Sequence, residues 1–467
     1  MIGIISWFLL FLSVQCIDIV KNWENLQYTR SIDLSKSYIK ETVDIEAINI
    51  DDKPNGEYYF HIPDGLNNYN ISLISGTFNE QLAILEFQEI SNKLYKFKLP
   101  IPIASKSNAK FKIRFIYMDN LLPLPKSIEL GDVQSLLIKI NQFNFNAYNT
   151  KNYELNFEGL TKGQNMDIIN DNYEIDENEC NFDVPTIEPR IEDKSYKFGP
   201  VEDIPPFSIK PMGLLYDHNR PLAKALNLER SIWLPSSDIN KFQIEEYYEL
   251  TNVGANLKSG FSRVDWMKGK YEGMRNHWGY SHLELPTSIE NQFDNYYFTD
   301  KVGMVTTHRL IKNFLVFEPR FPLFGGWFYN FTLGWDQNFG ESLKKLDDDT
   351  YILRIPLINS GIDLTYKNVN LNFYLPENSQ FINISSPIEF KSITYDNEKS
   401  YLDVSEGHNK ITVNYENLFE DLSKVDVLIM YKFTKASYWW KVLKISSFIF
   451  TGLISYYLLN LINLKID

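Results

Sequence analysis

The sequence predicts a mainly β protein, with two antiparallel β-sandwich-like domains followed by one C-terminal transmembrane helix. Three observations support this prediction. The chain of 467 residues contains 32 Phe and 29 Tyr, and such an excess of aromatic residues favours pleated, half-buried strands. Apolar and polar residues alternate with a period of two along many segments. Near the C-terminus, one apolar stretch is long enough to cross a bilayer.

The first 16 residues, Met1 to Cys16, have the character of a signal peptide. They carry no charged side chain, and the apolar run from Ile2 to Val14 ends in residues that suit signal peptidase. Because this run is too short to span a bilayer, cleavage after Cys16 is favoured over an anchor. A cleaved signal would also place the N-terminus of the mature chain across the membrane from the cytosol.

Cleavage would leave Cys180 as the single cysteine of the mature chain, which excludes an internal disulfide. The side chains of Glu177, Glu179 and Asp183 surround it in sequence, and their negative charge opposes thiolate formation. An unreactive thiol in an acidic loop is the favoured interpretation. The alternative is a mixed disulfide with a neighbouring protein.

Strands are predicted in both domains, residues 17–226 and 227–438. In the first domain, residues 95–103 and 110–117 alternate apolar and charged or proline positions, as expected of strands with one solvated face. In the second domain the same pattern occurs at 369–375, 411–415 and 427–433. Residues 287–296 are the least strand-like.

The composition between residues 164 and 211 becomes rich in Asp, Glu and Asn and then in Pro. This change predicts an extended, weakly structured excursion before the last strand of the first domain. We place the domain boundary near Leu226, which gives each domain about 200 residues, a plausible size for one β domain.

Residues 445–464 are 20 positions without a charge, which cover about 30 Å as a helix and predict a membrane span. Trp439 and Trp440 precede the span as interfacial aromatics, and residues 465–467 form a short cytosolic tail. Lys441 and Lys444 are unusual on the non-cytosolic side, but a cleaved signal peptide still fixes type I topology.

Small residues recur on one face of this span. Ser447, Thr451 and Ser455 are spaced by four, and Gly452 lies beside them, so a second helix could approach this face closely. Asn460 would seek a hydrogen-bonding partner inside the membrane. In the alternative interpretation, the hydroxyl groups bond to their own helix backbone and Asn460 reaches toward the headgroups.

The chain offers little catalytic chemistry. Its net charge of −14 disfavours nucleic acid, and no nucleotide-binding, hydrolase or zinc-protease motif is present, so no cofactor or metal is expected. His277 and His282 are spaced poorly for a shared metal. Asp347 and Asp349 have the Asp-x-Asp spacing of many glycosyltransferases, but their position before a predicted strand favours a solvated turn.

Three sequons are candidate glycosylation sites: Asn330 in a threonine sequon, and Asn70 and Asn383 in serine sequons. Asn330 is the strongest candidate, since threonine sequons are used more readily. It adjoins an aromatic block around Gly325-Gly326. That block either fills a core, with the glycines forming a tight turn, or presents Glu318 and Arg320 to a neighbouring subunit.

The same block carries a resemblance to a known family. The run Glu318-Pro-Arg-Phe-Pro-Leu-Phe-Gly-Gly-Trp327 resembles ribophorin I, the large single-span subunit of the endoplasmic-reticulum oligosaccharyltransferase. The other matching segments are Gly260-Phe-Ser-Arg263, Asp294-Asn-Tyr-Tyr-Phe-Thr-Asp300, Lys301-Val-Gly-Met-Val-Thr-Thr-His308, Ile128-Glu-Leu-Gly-Asp-Val-Gln-Ser135 and Tyr196-Lys-Phe-Gly-Pro200. The match is dense from about Glu229 to Trp335.

Two features depart from the animal members of the family. Where they carry Ser-His-Trp-Gly-Asn, this chain has Ser237-Asp238-Ile239-Asn240-Lys241, so a contact assigned to that histidine or tryptophan is not carried over. The tail after the span is also short, as in fungal-type members.

The resemblance implies a non-catalytic subunit with a lumenal body, anchored in the endoplasmic-reticulum membrane. Its implied partners are the catalytic multispan subunit, small membrane subunits and nascent polypeptides, and its implied role is to support transfer of oligosaccharide from dolichyl diphosphate to Asn-x-Ser/Thr. One alternative is an autonomous membrane-anchored hydrolase or glycosyltransferase that uses Asp347 and Asp349. A weaker alternative is a cell-surface adhesion receptor.

Overall fold

Two eight-stranded sheets, one in each half of the chain, form the framework of the protein, and a helix of 27 residues follows them. The predicted mainly β class is confirmed. The computed structural model describes residues 21–62, 70–79, 83–91, 94–160, 163–166, 184–192, 195–235, 240–272, 278–286, 293–311, 314–347, 349–360, 363–401 and 403–461.

The first half is built from strands that include the predicted segments 95–103 and 110–117. The strands are β1 (Trp23–Asp33), β2 (Ile39–Asn49), β3 (Asn55–His61), β4 (Asn70–Phe78), β5 (Ala83–Ile84), β6 (Glu86–Ser91), β7 (Leu94–Ile103), β8 (Asn108–Met118), β9 (Leu122–Pro123), β10 (Ser127–Ile128), β11 (Ser135–Asn141), β12 (Asn149–Glu158), β13 (Gly163–Met166), β14 (Pro189–Glu192), β15 (Ser195–Ile204) and β16 (Pro211–Asp217). The large sheet has the order β14-β15-β12-β1-β2-β8-β4-β5, and smaller sheets β13-β16-β11-β9 and β3-β7-β6 accompany it.

The second half repeats this arrangement and adds two helices and a 3₁₀ turn over Glu420–Lys424. The remaining elements are β17 (Ala223–Trp233), β18 (Lys241–Asn252), β19 (Asn256–Leu257), α1 (Arg263–Tyr271), β20 (Leu283–Pro286), β21 (Phe293–Asp300), β22 (Gly303–Met304), β23 (His308–Ile311), β24 (Phe314–Phe317), β25 (Phe328–Asn338), β26 (Leu343–Lys345), β27 (Thr350–Pro356), β28 (Leu364–Tyr374), β29 (Gln380–Ser385), β30 (Ser392–Glu398), β31 (His408–Phe419), β32 (Asp426–Lys432) and α2 (Lys435–Leu461). The large sheet has the order β22-β21-β25-β18-β17-β28-β31-β30.

The two large sheets share one topology, which identifies an internal duplication. The order β15-β12-β1-β2-β8-β4 in the first sheet corresponds to β31-β28-β17-β18-β25-β21 in the second, and the strands occur in the same succession along the chain. Each first strand pairs parallel with one neighbour and antiparallel with the other. Both first strands carry a register shift, at Asn25/Gln27 and at Ala225/Asn227. The parallel pair in each sheet is a feature that strand alternation did not predict.

Alternating burial along the strands explains how the sequence forms these sheets. In β2 every second residue from Ile39 to Asn49 is buried and those between are half-buried, as a period of two requires. Two large apolar clusters result, one mainly in each half, and Tyr38 and Met118 of the first half belong to the cluster of the second half. Each also encloses an ion pair between its first two long strands: Arg30 lies 2.6 Å from Glu41, and Arg230 lies 3.1 Å from Glu246.

Three details differ from the sequence predictions. Residues 195–204, predicted to belong to a weakly structured excursion, form strand β15 of the large sheet, and 189–192 pair with it. The first half ends with β16 at Asp217 and β17 begins at Ala223, three residues before the predicted boundary at Leu226. Residues 293–296, predicted to be weakly strand-like, belong to β21.

The loop between β1 and β2 connects the first half to the second through hydrogen bonds, an ion pair and a ring contact. Backbone and hydroxyl groups of Ser37 donate to the carboxylate of Asp363 at 2.6–3.1 Å. Next to it, Lys36 lies 2.8 Å from Glu420, and the ring of Tyr38 packs 5.1 Å from that of Phe419. Contacts between residues more than 300 positions apart therefore fix how the halves meet.

Candidate functional sites at the domain junction and the helix junction

The aromatic block lies where the two halves of the chain meet. Phe324 is fully buried, and its ring centroid is 5.1 Å from that of Trp278, 5.5 Å from Trp266 and 5.4 Å from Trp327. Ile128 of the first half belongs to the same apolar cluster. The core interpretation of this block is therefore confirmed for Phe324, whereas Phe328 beside it remains 63% exposed.

The Gly-Gly pair permits a backbone approach that other residues would block. A Cβ atom on Gly325 would lie 2.1 Å from the carbonyl oxygen of Ala255, and Gly326 has a φ of +77°. The buried Asn252 holds the surrounding backbone, because its side-chain amide donates to the carbonyl oxygens of Trp278 and Leu323 at 3.0 Å each. Glycine is required here for close packing and for turn geometry.

A buried glutamine joins the two halves at the same place. The side-chain amide of Gln134 donates to the carbonyl oxygens of His218 and Arg220 at 3.0 and 2.9 Å, and its side-chain oxygen accepts from the backbone of Ala255 at 2.8 Å. The short strands β10 and β19, from opposite halves, pair in parallel nearby. The segment 128–135 thus acts as a connector between the domains.

Arg320 stabilises its own domain. Its guanidinium lies 2.5 Å from the carboxylate of Asp300 and donates to the carbonyl oxygen of Met304 at 3.2 Å. Burial raises the pKa of Asp300, but hydrogen bonds from Arg320 and from nearby backbone groups outweigh it and leave the pKa below its usual value. Glu318 is exposed.

The start of α2 is held against the second half by a charge cluster. The ammonium of Lys441 lies 2.8 Å from Glu377 and 2.9 Å from Asp403, whose side chains are 0% and 1% exposed. Glu377 also accepts from the backbone of Ser405 at 2.7 Å, and His408 lies 3.5 Å from Asp403. The cluster therefore ties the helix to the loop before β31.

These contacts give the unusual lysines a structural role. Lys441 pairs with two buried carboxylates, and Lys444 donates to the carbonyl oxygen of Val404 at 3.4 Å. On the same helix face Ser437 donates to the carbonyl oxygen of Asn378 at 3.2 Å. Spacings of three and four residues place these groups on one side of the helix.

The sequence model of the family described as Ribophorin I matches residues 23–460, which is nearly the whole chain and includes both halves and α2. The chain belongs to the ribophorin I family. The predicted resemblance is thereby confirmed.

Several members of the ribophorin I family have informative names. Subunit 1 of the dolichyl-diphosphooligosaccharide–protein glycosyltransferase of Caenorhabditis elegans is 23% identical over 412 residues, which are 86% of this chain and 66% of the relative. Subunit 1A of Arabidopsis thaliana is 23% identical, over 87% of this chain and 64% of the relative. The chain thus spans about two thirds of these two relatives. Subunit 1 of Schizosaccharomyces pombe is 22% identical, over 90% of this chain and 91% of the relative.

Similarity to solved structures is weak. Native yeast LTA4 hydrolase matches 42% of this chain and 29% of its own, with 12% identity and a TM-score of 0.27. A TM-score this low supports no conclusion about the fold or function of this chain.

The predicted helix-packing residues are exposed along α2. Side chains of Ser447, Thr451, Ser455 and Asn460 are uncovered by the part of the chain that the structure describes, and the space beside Gly452 is open. The hydroxyl of Thr451 donates to the carbonyl oxygen of Ser447 at 2.8 Å, so at this residue the helix satisfies its own polar group. The helix face that carries Ser447, Thr451 and Ser455, here called the stripe, is therefore accessible to a partner helix.

Asp347 and Asp349 lie in the turn between β26 and β27. Asp347 is exposed, and the carbonyl oxygen of Asp349 accepts from the backbone of Phe433 at 2.8 Å. Among the described residues, no group of three or more His, Cys, Asp or Glu side chains is placed to hold a metal. His277 and Asp348 lie outside the described residues.

The three sequons differ in their surroundings. Asn70 and Asn383 are exposed, and the amide of Asn70 donates to Asp119 at 2.8 Å. Asn330 is half-buried on the outer face of β25, where its amide donates to the hydroxyl of Tyr247 at 3.2 Å. Glycosylation at all three stays a prediction. Cys180 and the predicted signal peptide, 1–16, lie outside the described residues.

Sequence reasoning missed the charge cluster around Lys441. The acceptors of Lys441 are 38 and 64 positions away in the chain, and neither carries a local motif. The available signal was the lysine itself, because a positive residue on the non-cytosolic side of a span requires a reason.

Proposed function

We propose that the protein is a non-catalytic subunit of an oligosaccharyltransferase complex in the endoplasmic-reticulum membrane. It supports transfer of oligosaccharide from dolichyl diphosphate to Asn-x-Ser/Thr acceptors in nascent polypeptides. The observation that carries the proposal is the family match over residues 23–460, together with relatives named as subunit 1 of this glycosyltransferase. The coverage of both halves and the helix means that the whole described architecture belongs to the family.

In this proposal α2 spans the membrane once, the β-rich body is lumenal, and the N-terminal segment is a signal peptide. The length and mean hydropathy of α2 are those of a membrane span, and none of its described side chains is buried by the part of the chain that the structure describes. The anchoring of Lys441 supports the type I orientation, since paired charge removes the conflict with the usual distribution of lysines.

The partners we propose are the catalytic multispan subunit, small membrane subunits and nascent polypeptides. The decisive experiment is affinity purification of the full chain from detergent-solubilised membranes, followed by mass spectrometry. Co-purification with a multispan glycosyltransferase, and under-glycosylation of reporter glycoproteins on depletion, are expected. A stable monomer with its own glycan-transfer activity would instead support the autonomous enzyme.

The exposed stripe on α2 is the proposed contact with a partner helix. Replacing Thr451 and Ser455 with Leu keeps the helix apolar but fills the space that a partner would occupy. Insertion should persist while co-purification of the partner subunits falls; Ser446→Leu, outside the four-residue spacing, is the matched control. Asn460→Leu separately tests whether that amide has a partner. Unchanged association in all variants would mean that the helix only anchors the protein.

A further inference from the structure

A groove of about 660 Å³ lies between the β-rich body and the first turns of α2. Leu234 and Phe242 form its wall on the body side, and Val442 and Ile445 form its wall on the helix side. Because Ile445 begins the uncharged run of the helix, the groove lies where α2 would enter a bilayer.

Exposed aromatic residues mark the same level of the helix. Trp439 and Trp440 are 59% and 55% exposed, and tryptophan at the end of a span settles among lipid headgroups. Both are within three residues of Val442. The groove is thus at headgroup depth, with its apolar helix wall continuing into the region of the acyl chains.

The lining of the groove contains both signs of charge. Lys241 and Lys441 are its cations, and Asp336 and Asp403 are its carboxylates, so these four groups sum to zero. Lys441 is already balanced by buried carboxylates, and Lys241 lies 2.5 Å from Asp294. With Asp294 and Glu377 counted as the partners of these lysines, carboxylates outnumber lysines around the groove, so a ligand with excess negative charge is disfavoured.

Aromatic rings complete the site. Trp233 lines the groove, and its orientation is fixed by stacking on Tyr374, with centroids 3.7 Å apart and planes inclined by 3°. Tyr401 stands at the rim and is 93% exposed. Aromatic rings of this kind attract quaternary ammonium groups, and lysine ammonium groups attract phosphate.

We propose that this groove binds the headgroup of a zwitterionic phospholipid such as phosphatidylcholine. The choline group would lie against Trp233 and Tyr401, the phosphate near Lys241, and one acyl chain along Val442 and Ile445. The excess of carboxylates favours this ligand, with its quaternary ammonium group, over an anionic lipid, and the apolar wall favours it over a free phosphate ester. The inference rests on the proposed membrane span of α2 but not on the proposed role in glycosylation.

The test uses the full chain in nanodiscs of phosphatidylcholine that contain a small fraction of phosphatidylcholine with a photoreactive group at the start of one acyl chain. After illumination, crosslinked peptides are mapped by mass spectrometry. We expect labelling of residues 233–243 and 438–445 above that of the helix beyond residue 446. In a second set of nanodiscs whose host lipid is phosphatidylglycerol, added unlabelled phosphatidylcholine should compete for the groove peptides and leave labelling of the deeper helix unchanged.

Two variants test the ligand contacts. Lys241→Glu should reduce groove labelling by roughly fivefold or more, because it removes a charge-assisted hydrogen bond to the phosphate and places a like charge beside it. Val442→Trp should reduce it by filling the groove, and Lys435→Glu, at an exposed lysine outside the lining, is the control. Equal labelling along all of α2, or groove labelling that neither competitor nor variants change, would overturn the proposal. So would stronger labelling by phosphatidylserine. Absence of labelling beyond residue 446 would instead refute the membrane span itself.

Discussion

Replacing Lys441 with Met should detach α2 from the body without unfolding either sheet. The change leaves Glu377 and Asp403, which are 0% and 1% exposed, without their ammonium partner. Removing one member of a buried ion pair costs about 3–5 kcal/mol. Because the side chain of Lys441 is itself 19% exposed, we expect the lower end, about 3 kcal/mol. Such a loss corresponds to a roughly 150-fold change in the docking equilibrium.

Hydrogen–deuterium exchange of the full chain in detergent measures this effect locally. The amides of Val404 and Ser405 donate to the carboxylate of Glu377 at 3.0 and 2.7 Å, so they report whether the cluster is intact. Exchange at these amides and in residues 435–445 should accelerate by up to about two orders of magnitude, as the lost free energy implies. Exchange in the central strand β28 should not change.

Two further variants separate the loss of charge from the loss of the side chain. Lys441→Arg keeps the positive charge and should retain most of the protection. Lys435→Met removes an exposed lysine from the same helix and should have no effect. Wild-type exchange in Lys441→Met would refute the idea that this ion cluster docks the helix, as would equal acceleration in Lys435→Met.

Three other predictions follow from the described contacts. Gly325→Ala places a Cβ 2.1 Å from a backbone carbonyl oxygen and should lower stability by about 1–3 kcal/mol or more in thermal unfolding, whereas Gly260→Ala, with open space, should not. Arg230→Met leaves the buried Glu246 unpaired and should cost about 3–5 kcal/mol, with recovery when Glu246→Leu is added. Burial raises the pKa of Glu377, but hydrogen bonds from Lys441 and Ser405 outweigh it and leave the pKa below 4.5. Its stabilisation is therefore present above that pH and lost as the pH falls through the folded-state pKa, so the protection of α2 amides, measured relative to the intrinsic exchange rate at each pH, should fall in acid.

The alternation of apolar and polar residues was sufficient to predict where strands occur, but not which strands pair with each other. The alternation at 95–103 and 110–117 arises because one face of each strand is buried, and this face is visible in the sequence itself. Strand β15 escaped prediction because residues 195–204 include Gly199-Pro200 and lie within the Asp-, Glu-, Asn- and Pro-rich stretch 164–211, although β12 and β14 pair with both its edges. Pairing with β12, which is distant in the chain, supplies stabilisation that the local sequence does not show.

The repeated topology of the two halves was also not predicted, because it depends on which strands pair and not on local sequence. The two large sheets share strand order and a register shift in their first strand, but a repeat of about 200 residues survives here in topology and not in visible motifs. Even the buried ion pairs differ in register: Arg230 stands opposite Glu246, whereas Arg30 stands opposite Val43 and reaches Glu41 further along. Packing constrains burial and pairing more strongly than residue identity.

The segments by which the family is most easily recognised contain few residues suited to catalysis. Their position between the two halves of the chain explains this composition. Gly325 allows backbones of two segments to touch, Gln134 bonds to both halves of the chain, and Phe324 fills the apolar space between them. Residues in such a packing role are constrained by the space they must fill, and the role itself requires neither a nucleophile nor a metal ligand. Lys441 then fixes the helix to the second half in the same manner. If α2 binds partner helices as proposed, the body is held at a defined position above them, and this geometry is what a supporting subunit contributes.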